Sequence, residues 1–272
     1  MPNLRVNKTD YYYELHGSGD PVVLISGLKA DHTGWMPVLD SLKKNHTVLI
    51  FDNLGVGQTV DDGEKFDIDQ MADETIEIVR QLGLEMPHIV GHSLGGAVAQ
   101  SIAYRYADKI KSVALCNTFI KFNENAKQLF SSILDMHISG DSQANIMSAI
   151  LPWAFSEEFM SPELEEIIRK GSNENPYPQS THDYNRQLEA LYSFNADLWI
   201  NHIRLPTLVV GAEKDKIALL SESEEITARI RDSKLTTLCA GHASQVERPV
   251  EFVSALLSFY NELKLSSNYR LN

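Results

Sequence analysis

Gly91-His92-Ser93-Leu94-Gly95-Gly96 is the stretch on which the reading of this chain turns. A short apolar run, Ile89-Val90, leads into it, and a helix-like segment, Leu94 to Tyr106, leaves it. A serine between two glycines at a strand-to-helix turn is the signature of a nucleophile elbow. Gly91 and Gly95 keep the flanks minimal, so the Ser93 side chain is pushed out above the sheet. The following helix points its N-terminus at the same spot, where unpaired backbone N–H groups can hold a developing oxyanion.

A nucleophilic serine needs a histidine base, and the histidine needs an acid that fixes its tautomer. Pro206-Thr207-Leu208-Val209-Val210 reads as a buried parallel strand, and Gly211 to Asp215 forms the loop beyond it. Catalytic groups of open parallel sheets lie at that carboxyl edge. Asp215 is the preferred acid. Glu213 is its rival, two residues nearer the strand, and a helix cap for Leu219 to Ile230 is the bland use of Asp215. Nine histidines are present. His242 alone follows the last strand-like run, Lys234 to Cys239, and precedes a final helix opened by Glu247-Arg248-Pro249. His92 adjoins the serine, with its side chain expected to point away from the hydroxyl.

The rest of the chain alternates. Strands are expected at Leu4 to Lys8, Tyr11 to Leu15, Val22 to Ser26, Thr47 to Phe51, His88 to Val90 and Lys111 to Cys116. Helices are expected at Trp35 to Lys43 and from an Asp67 cap to Leu82, with Gly83 as the stop. Such alternation means a mostly parallel sheet with helices on both faces. It breaks between Phe119 and Trp199, where helix-like segments lie near Asn125 to Met136, Ser142 to Leu151, Pro162 to Lys170 and His182 to Phe194. Turn signals there are Gly140, Pro152 and Asn173 to Pro178.

Taken together these features resemble the α/β-hydrolase superfamily almost end to end, in its small esterase and lactonase branch. The resemblance is carried by Tyr13 to Pro21 followed by Val22-Val23-Leu24-Ile25-Ser26-Gly27-Leu28, by the second glycine loop Asp52 to Thr59, and by the histidine loop Gly241 to Phe252. It implies an eight-stranded sheet, with residues 1-118 and 200-272 as the core domain and 119-199 as an inserted helical cap. It also implies an oxyanion hole from the N–H groups of Leu28 and Leu94. Two positions depart from the family pattern: Ser26 stands where His is usual, and Leu54 where Arg is usual. The first leaves backbone donors intact, and the second alters how its loop is anchored. Trp35, Phe119, Met147, Leu151, Trp153 and Phe155 are candidate substrate-pocket residues. By family topology Cys116 and Cys239 end strands that are not neighbours, so they read as buried thiols without a disulfide, consistent with a reducing cytoplasm.

Composition bounds the remaining choices. The chain has 272 residues, 43% hydrophobic and 22% charged, with net charge −13, so it offers no basic footprint for nucleic acid or anionic lipid. No run approaches a membrane span, and Met1 to Arg5 carries no secretion signal. A cytoplasmic location is expected. The Phe119–Trp199 segment holds five basic and twelve acidic residues, a poor docking face for an acidic acyl carrier protein. No H-E-x-x-H or Cys/His cluster suggests a metal. Gly55 to Val60 lacks the lysine and third glycine of nucleotide loops, and no cofactor is expected. The leading expectation is a carboxylesterase acting on small-molecule esters through Ser93, His242 and Asp215. The alternatives are a pathway-specific relative, such as an enol-lactonase or a pimeloyl-acyl-carrier methyl esterase, and a non-catalytic ligand receptor on the same fold.

Overall fold

The computed structural model describes residues 3–270, so Met1 and Pro2 of the N-terminal reading lie outside it. The chain runs β1 (Asn3–Val6), β2 (Thr9–Gly17), β3 (Asp20–Ile25), α1 (Met36–Leu42), β4 (His46–Phe51), α2 (Ile68–Gln81), β5 (His88–His92), α3 (Leu94–Arg105) and β6 (Ser112–Cys116). Four helices then intervene: α4 (Glu124–Ile138), α5 (Gln143–Ala154), α6 (Pro162–Glu174) and α7 (Thr181–Ser193). The sheet resumes with β7 (Thr207–Ala212), α8 (Leu220–Arg229), β8 (Ser233–Leu238), a single turn α9 (Ser244–Glu247) and α10 (Pro249–Arg270).

The eight strands lie in the order β1-β2-β4-β3-β5-β6-β7-β8. The β1–β2 and β2–β4 pairs are antiparallel, and every later pair is parallel. The expected α/β class and mostly parallel eight-stranded sheet are therefore present. Side-chain alternation splits the interior into two layers. Val23 and Ile25 of β3 join Leu49, Phe51, Val113 and Leu115 on the face covered by α2 and α3. Val22 and Leu24 join Val48, Ile50, Ala114 and Cys116 on the face covered by α1 and α10. Burial on both faces is why these strands read as continuous apolar runs rather than alternating ones.

Local chemistry sets the element ends. Asp67, Asn123, Ser142, Ser161 and Ser180 each accept a backbone N–H at a helix start. Pro152, expected as a turn, instead lies inside the last turn of α5. A proline there forgoes one hydrogen bond, and the next turn still closes through Phe155 N–H to the Leu151 carbonyl at 3.0 Å. The final helix is also divided, because Glu247 ends α9 before Pro249 opens α10.

Although β6 and β7 are neighbours in the sheet, 90 residues separate Cys116 from Thr207, and most of that length is α4–α7. Its contacts with the core answer the Leu54 departure. Gln187 Nε2 donates to the Leu54 carbonyl and Gln179 Nε2 to the Gly55 carbonyl, both at 2.7 Å. Arg186 donates to the Glu64 carbonyl at 2.7 Å and pairs at 2.9 Å with Asp61, whose carboxylate is largely covered. The second glycine loop is thus held both from within, by Asp52 accepting Gln58 N–H at 2.7 Å, and from outside, by Gln179 and by Gln187 of α7.

Candidate active site

Ser93 sits between β5 and α3 with φ 55 and ψ −117, a left-handed conformation that a non-glycine residue adopts only under constraint. The constraint is visible around it. Its N–H donates to the Cys116 carbonyl at 3.0 Å, and its own carbonyl accepts Gly96 N–H at 2.8 Å and the Thr118 hydroxyl at 2.9 Å. A methyl at Gly95 would come within 2.8 Å of the Ser26 carbonyl oxygen, and one at Gly91 within 2.8 Å of the Ala99 methyl. Only glycine lets α3 approach the end of β3 this closely.

His242 and Asp215 arrive from the ends of β8 and β7. The His242 Nδ1–H donates to the Asp215 carboxylate, 2.9 Å from Oδ2 and 3.1 Å from Oδ1. That bond leaves Nε2 as the unprotonated nitrogen of the neutral ring. Asp215 is buried and also accepts from Ile217 N–H (2.8 Å), Ala218 N–H (2.9 Å) and Asn117 Nδ2 (2.9 Å). Burial by itself would raise its pKa; the facing His242, its hydrogen bond, Asn117 and the Ile217 amide together hold the carboxyl below its ordinary value. Glu213, the rival acid, is exposed.

Ser93 and His242 line one cavity of about 260 Å³. Leu28 lines it as well, while Leu94 is fully buried as the first residue of α3. The N–H of Leu94 is among the four that a helix start leaves without a partner in the helix. From the α4–α7 insertion come Phe130, Met147, Ile150, Ala154 and Tyr184.

The pocket expectations divide. Trp35 and Met147 line the cavity; Phe119, Leu151, Trp153 and Phe155 do not. On α5 the cavity face carries Met147, Ile150 and Ala154 at helical spacing, which turns Trp153 outward, where it is exposed. Leu151 is buried away from the cavity, and Phe155 stacks on Phe159 with centroids 5.3 Å apart. Phe119 packs into the core 4.9 Å from the Phe122 ring. The cysteine reading also needs correction: Cys116 is buried, but Cys239 is exposed just beyond β8.

Two supporting residues were not anticipated. Asn117, at φ 47, bridges Asp215 to Ser244, whose hydroxyl donates to Asn117 Oδ1 at 2.6 Å. Asparagine tolerates that left-handed backbone better than most residues, a clue present in its place at the end of β6. His92 lines the same cavity as Ser93, and its Nε2–H donates to the His242 carbonyl at 2.8 Å. Burial and the neighbouring His242 lower its pKa to about 3, so the ring is neutral and fixes the loop that carries His242.

Among the described residues, one side-chain group has metal-like composition: Asp31, His32 and Asp52. Its donors are already engaged. His32 Nδ1 and main-chain N–H both bond Asp52 Oδ1, at 2.7 and 2.8 Å, and Asp31 accepts Thr33 N–H at 2.9 Å. Also among the described residues, no helix is long and apolar enough to cross a membrane.

A sequence model of the alpha/beta hydrolase fold matches residues 20–249. A protein of Stutzerimonas stutzeri named "Putative carbamate hydrolase RutD" is 28% identical over 92% of this chain and 97% of its own. The pyrrolizixenacetamide deacetylase of Xenorhabdus hominickii is 26% identical, covering 95% and 97%. The crystal structure of the enol-lactonase from Burkholderia xenovorans superposes with a TM-score of 0.87 at 24% identity, covering 96% of this chain and all of the other, a likeness of fold. The chain belongs to the alpha/beta hydrolase fold family.

Proposed function

We propose that this protein is a serine hydrolase that cleaves carboxylic esters through an acyl-enzyme. The observation that carries the reading is Ser93, held in a strained elbow and sharing one small cavity with a histidine whose far nitrogen is tied to a buried aspartate. His242 Nε2 takes the Ser93 proton as Oγ attacks the ester carbonyl, and the N–H groups of Leu28 and Leu94 receive the oxyanion. His242 then protonates the leaving alcohol. Water, deprotonated by the same nitrogen, attacks the acyl-enzyme and releases the acid and Ser93. Asp215 remains ionised and stabilises the imidazolium. Residues 119–199 serve as a cap that shapes the acyl site and excludes water.

A fluorophosphonate probe tests this reading. It is expected to label the wild type at Ser93 and to leave Ser93→Ala unmodified. Absence of an adduct would favour the ligand-receptor alternative. A panel of p-nitrophenyl esters of increasing length is expected to show turnover confined to short acyl chains, given a cavity of about 260 Å³. The names of two relatives, a carbamate hydrolase and a deacetylase, favour a second reading in which the scissile bond is a carbamate or amide. Turnover of an N-acetyl amide with none of the ester panel would select it. The enol-lactonase alternative predicts ring opening of a lactone. A methyl ester on an acyl carrier is the least suited, because the insertion that would meet the acidic carrier is itself acidic.

A further inference from the structure

Lys29 is a cation without an anion. It directly follows Leu28 and lines the cavity that holds Ser93, where the other lining side chains are mostly apolar. Its ammonium donates to Gln143 Oε1 of α5 at 3.0 Å, and its main-chain N–H donates to Gln187 Oε1 of α7 at 3.0 Å. Both partners are neutral amides. Among the described residues no carboxylate forms an ion pair with it, although lysines across the surface find one repeatedly. It also borders a smaller recess of about 80 Å³, which meets the main cavity at Lys29 and Met147. The carboxylate lining that recess, Asp31, is engaged with Thr33. The Lys29 backbone is left-handed, with φ 65, so the main chain keeps this side chain at the cavity against its own preference. Burial lowers the ammonium's pKa to about 8, and no neighbouring charge offsets that. A partly buried cation left in this state is costly unless a ligand supplies the countercharge.

We propose that Lys29 is a specificity residue that binds a free carboxylate, and that the substrate is a short acyl compound carrying that anion in addition to the scissile carbonyl. A half-ester of a small dicarboxylic acid, or a lactone bearing a carboxylate side chain, has this chemistry. The proposal rests on the hydrolase reading of the same cavity. Lys29 does not take part in the proton transfers; it selects and positions. The net charge of −13 makes the local cation more telling, since nothing about the molecule as a whole attracts an anion.

The test compares mono-p-nitrophenyl glutarate with p-nitrophenyl hexanoate, a neutral ester of similar length, after subtraction of spontaneous hydrolysis. The wild type is expected to favour the half-ester in kcat/KM by about tenfold or more, the worth of one hydrogen bond to a charged group. Lys29→Met is expected to abolish that preference, lowering kcat/KM for the half-ester about tenfold or more relative to the hexanoate. Gln143→Ala, which removes the amide but keeps the charge, is expected to retain the preference. Hexanoate turnover with no half-ester preference, or a preference that survives in Lys29→Met, overturns the proposal and leaves the hydrolase reading standing. Loss of the preference in Gln143→Ala as well would assign Lys29 a tethering role and overturn it too. If neither ester is cleaved the ester-hydrolase reading fails, and calorimetry with glutarate decides separately. Binding by the wild type that is lost in Lys29→Met supports the anion site; equal binding or none refutes it.

Discussion

Replacing Gly95 with alanine tests the elbow where it is tightest. A methyl there would lie 2.6 Å from the Ile25 carbonyl carbon and 2.8 Å from the Ser26 carbonyl oxygen. Carbon atoms in contact sit about 3.5–4.0 Å apart, so α3 and the end of β3 must separate by about 1 Å. Neither side gives easily, because both are buried main chain. Overpacking of this kind costs about 1–3 kcal/mol. At the midpoint, about 2 kcal/mol, the melting temperature of a chain this long falls by roughly 4–8 °C. The functional loss is expected to be larger. The displaced segments carry Ser93 and Leu94 on one side and lead to Leu28 on the other, and a misplacement of about 1 Å costs on the order of 10²-fold in rate. The assay pairs thermal unfolding with the rate of fluorophosphonate labelling and the kcat for a p-nitrophenyl ester. Gly171→Ala is the control, since a methyl there meets nothing within 4 Å and α6 should gain about 0.5–1 kcal/mol. A Gly95→Ala protein with wild-type melting and wild-type labelling would refute the close-approach argument.

Asn117→Ala removes one bond to Asp215 and orphans the Ser244 hydroxyl; a stability loss of about 1–3 kcal/mol is expected. Its activity should fall less than that of Asp215→Asn, because the Ile217 and Ala218 amides still hold the carboxylate, and steady-state rates on one ester check the order. Arg186→Met breaks the buried pair with Asp61 and should cost about 3–5 kcal/mol, read by urea unfolding. Acid should destabilise the fold, because His88 and His92 are buried neutral with pKa values of about 3. The unfolded chain binds their protons below about pH 6.5 and the folded chain does not, so stability falls from there downward. At pH 5.5 each histidine should cost about 1 kcal/mol, seen as a drop in unfolding midpoint relative to pH 7.5.

The elbow and the strands could be read from the sequence because their causes are local. Val22 to Ile25, Val48 to Phe51 and Leu208 to Val210 are apolar over consecutive positions, and burial on two faces demands that pattern. Ser93, Asp215 and His242 could be placed because each follows a strand, and strand ends share one edge of a parallel sheet. What escaped depends on convergence. Asn117 meets Asp215 across 98 positions and Ser244 across 127, and no pattern near Asn117 announces either partner. Which large residues face the cavity is illegible for the same reason. Large apolar residues of α5 look equivalent in sequence, but helix rotation sends Met147 inward and Trp153 to solvent. Lys29 looks like an ordinary loop lysine until the insertion folds over it.

Glu247 accepts Gly241 N–H at 2.9 Å, Ser156 N–H at 2.8 Å and the Ser156 hydroxyl at 2.6 Å, while Ala243 N–H reaches back to the Ala154 carbonyl at 2.9 Å. The far end of α5 is thereby stitched to the loop that bears His242. Moved as one piece, the α4–α7 insertion would drag the His242 loop with it. By contrast α6 has no buried side chain and is tied to α5, where its Asn173 Oδ1 accepts Ala144 N–H at 3.1 Å. Deuterium uptake is expected to be faster along α6 than at 154–156; the reverse order would mean that the seam between α5 and the His242 loop is the weaker of the two.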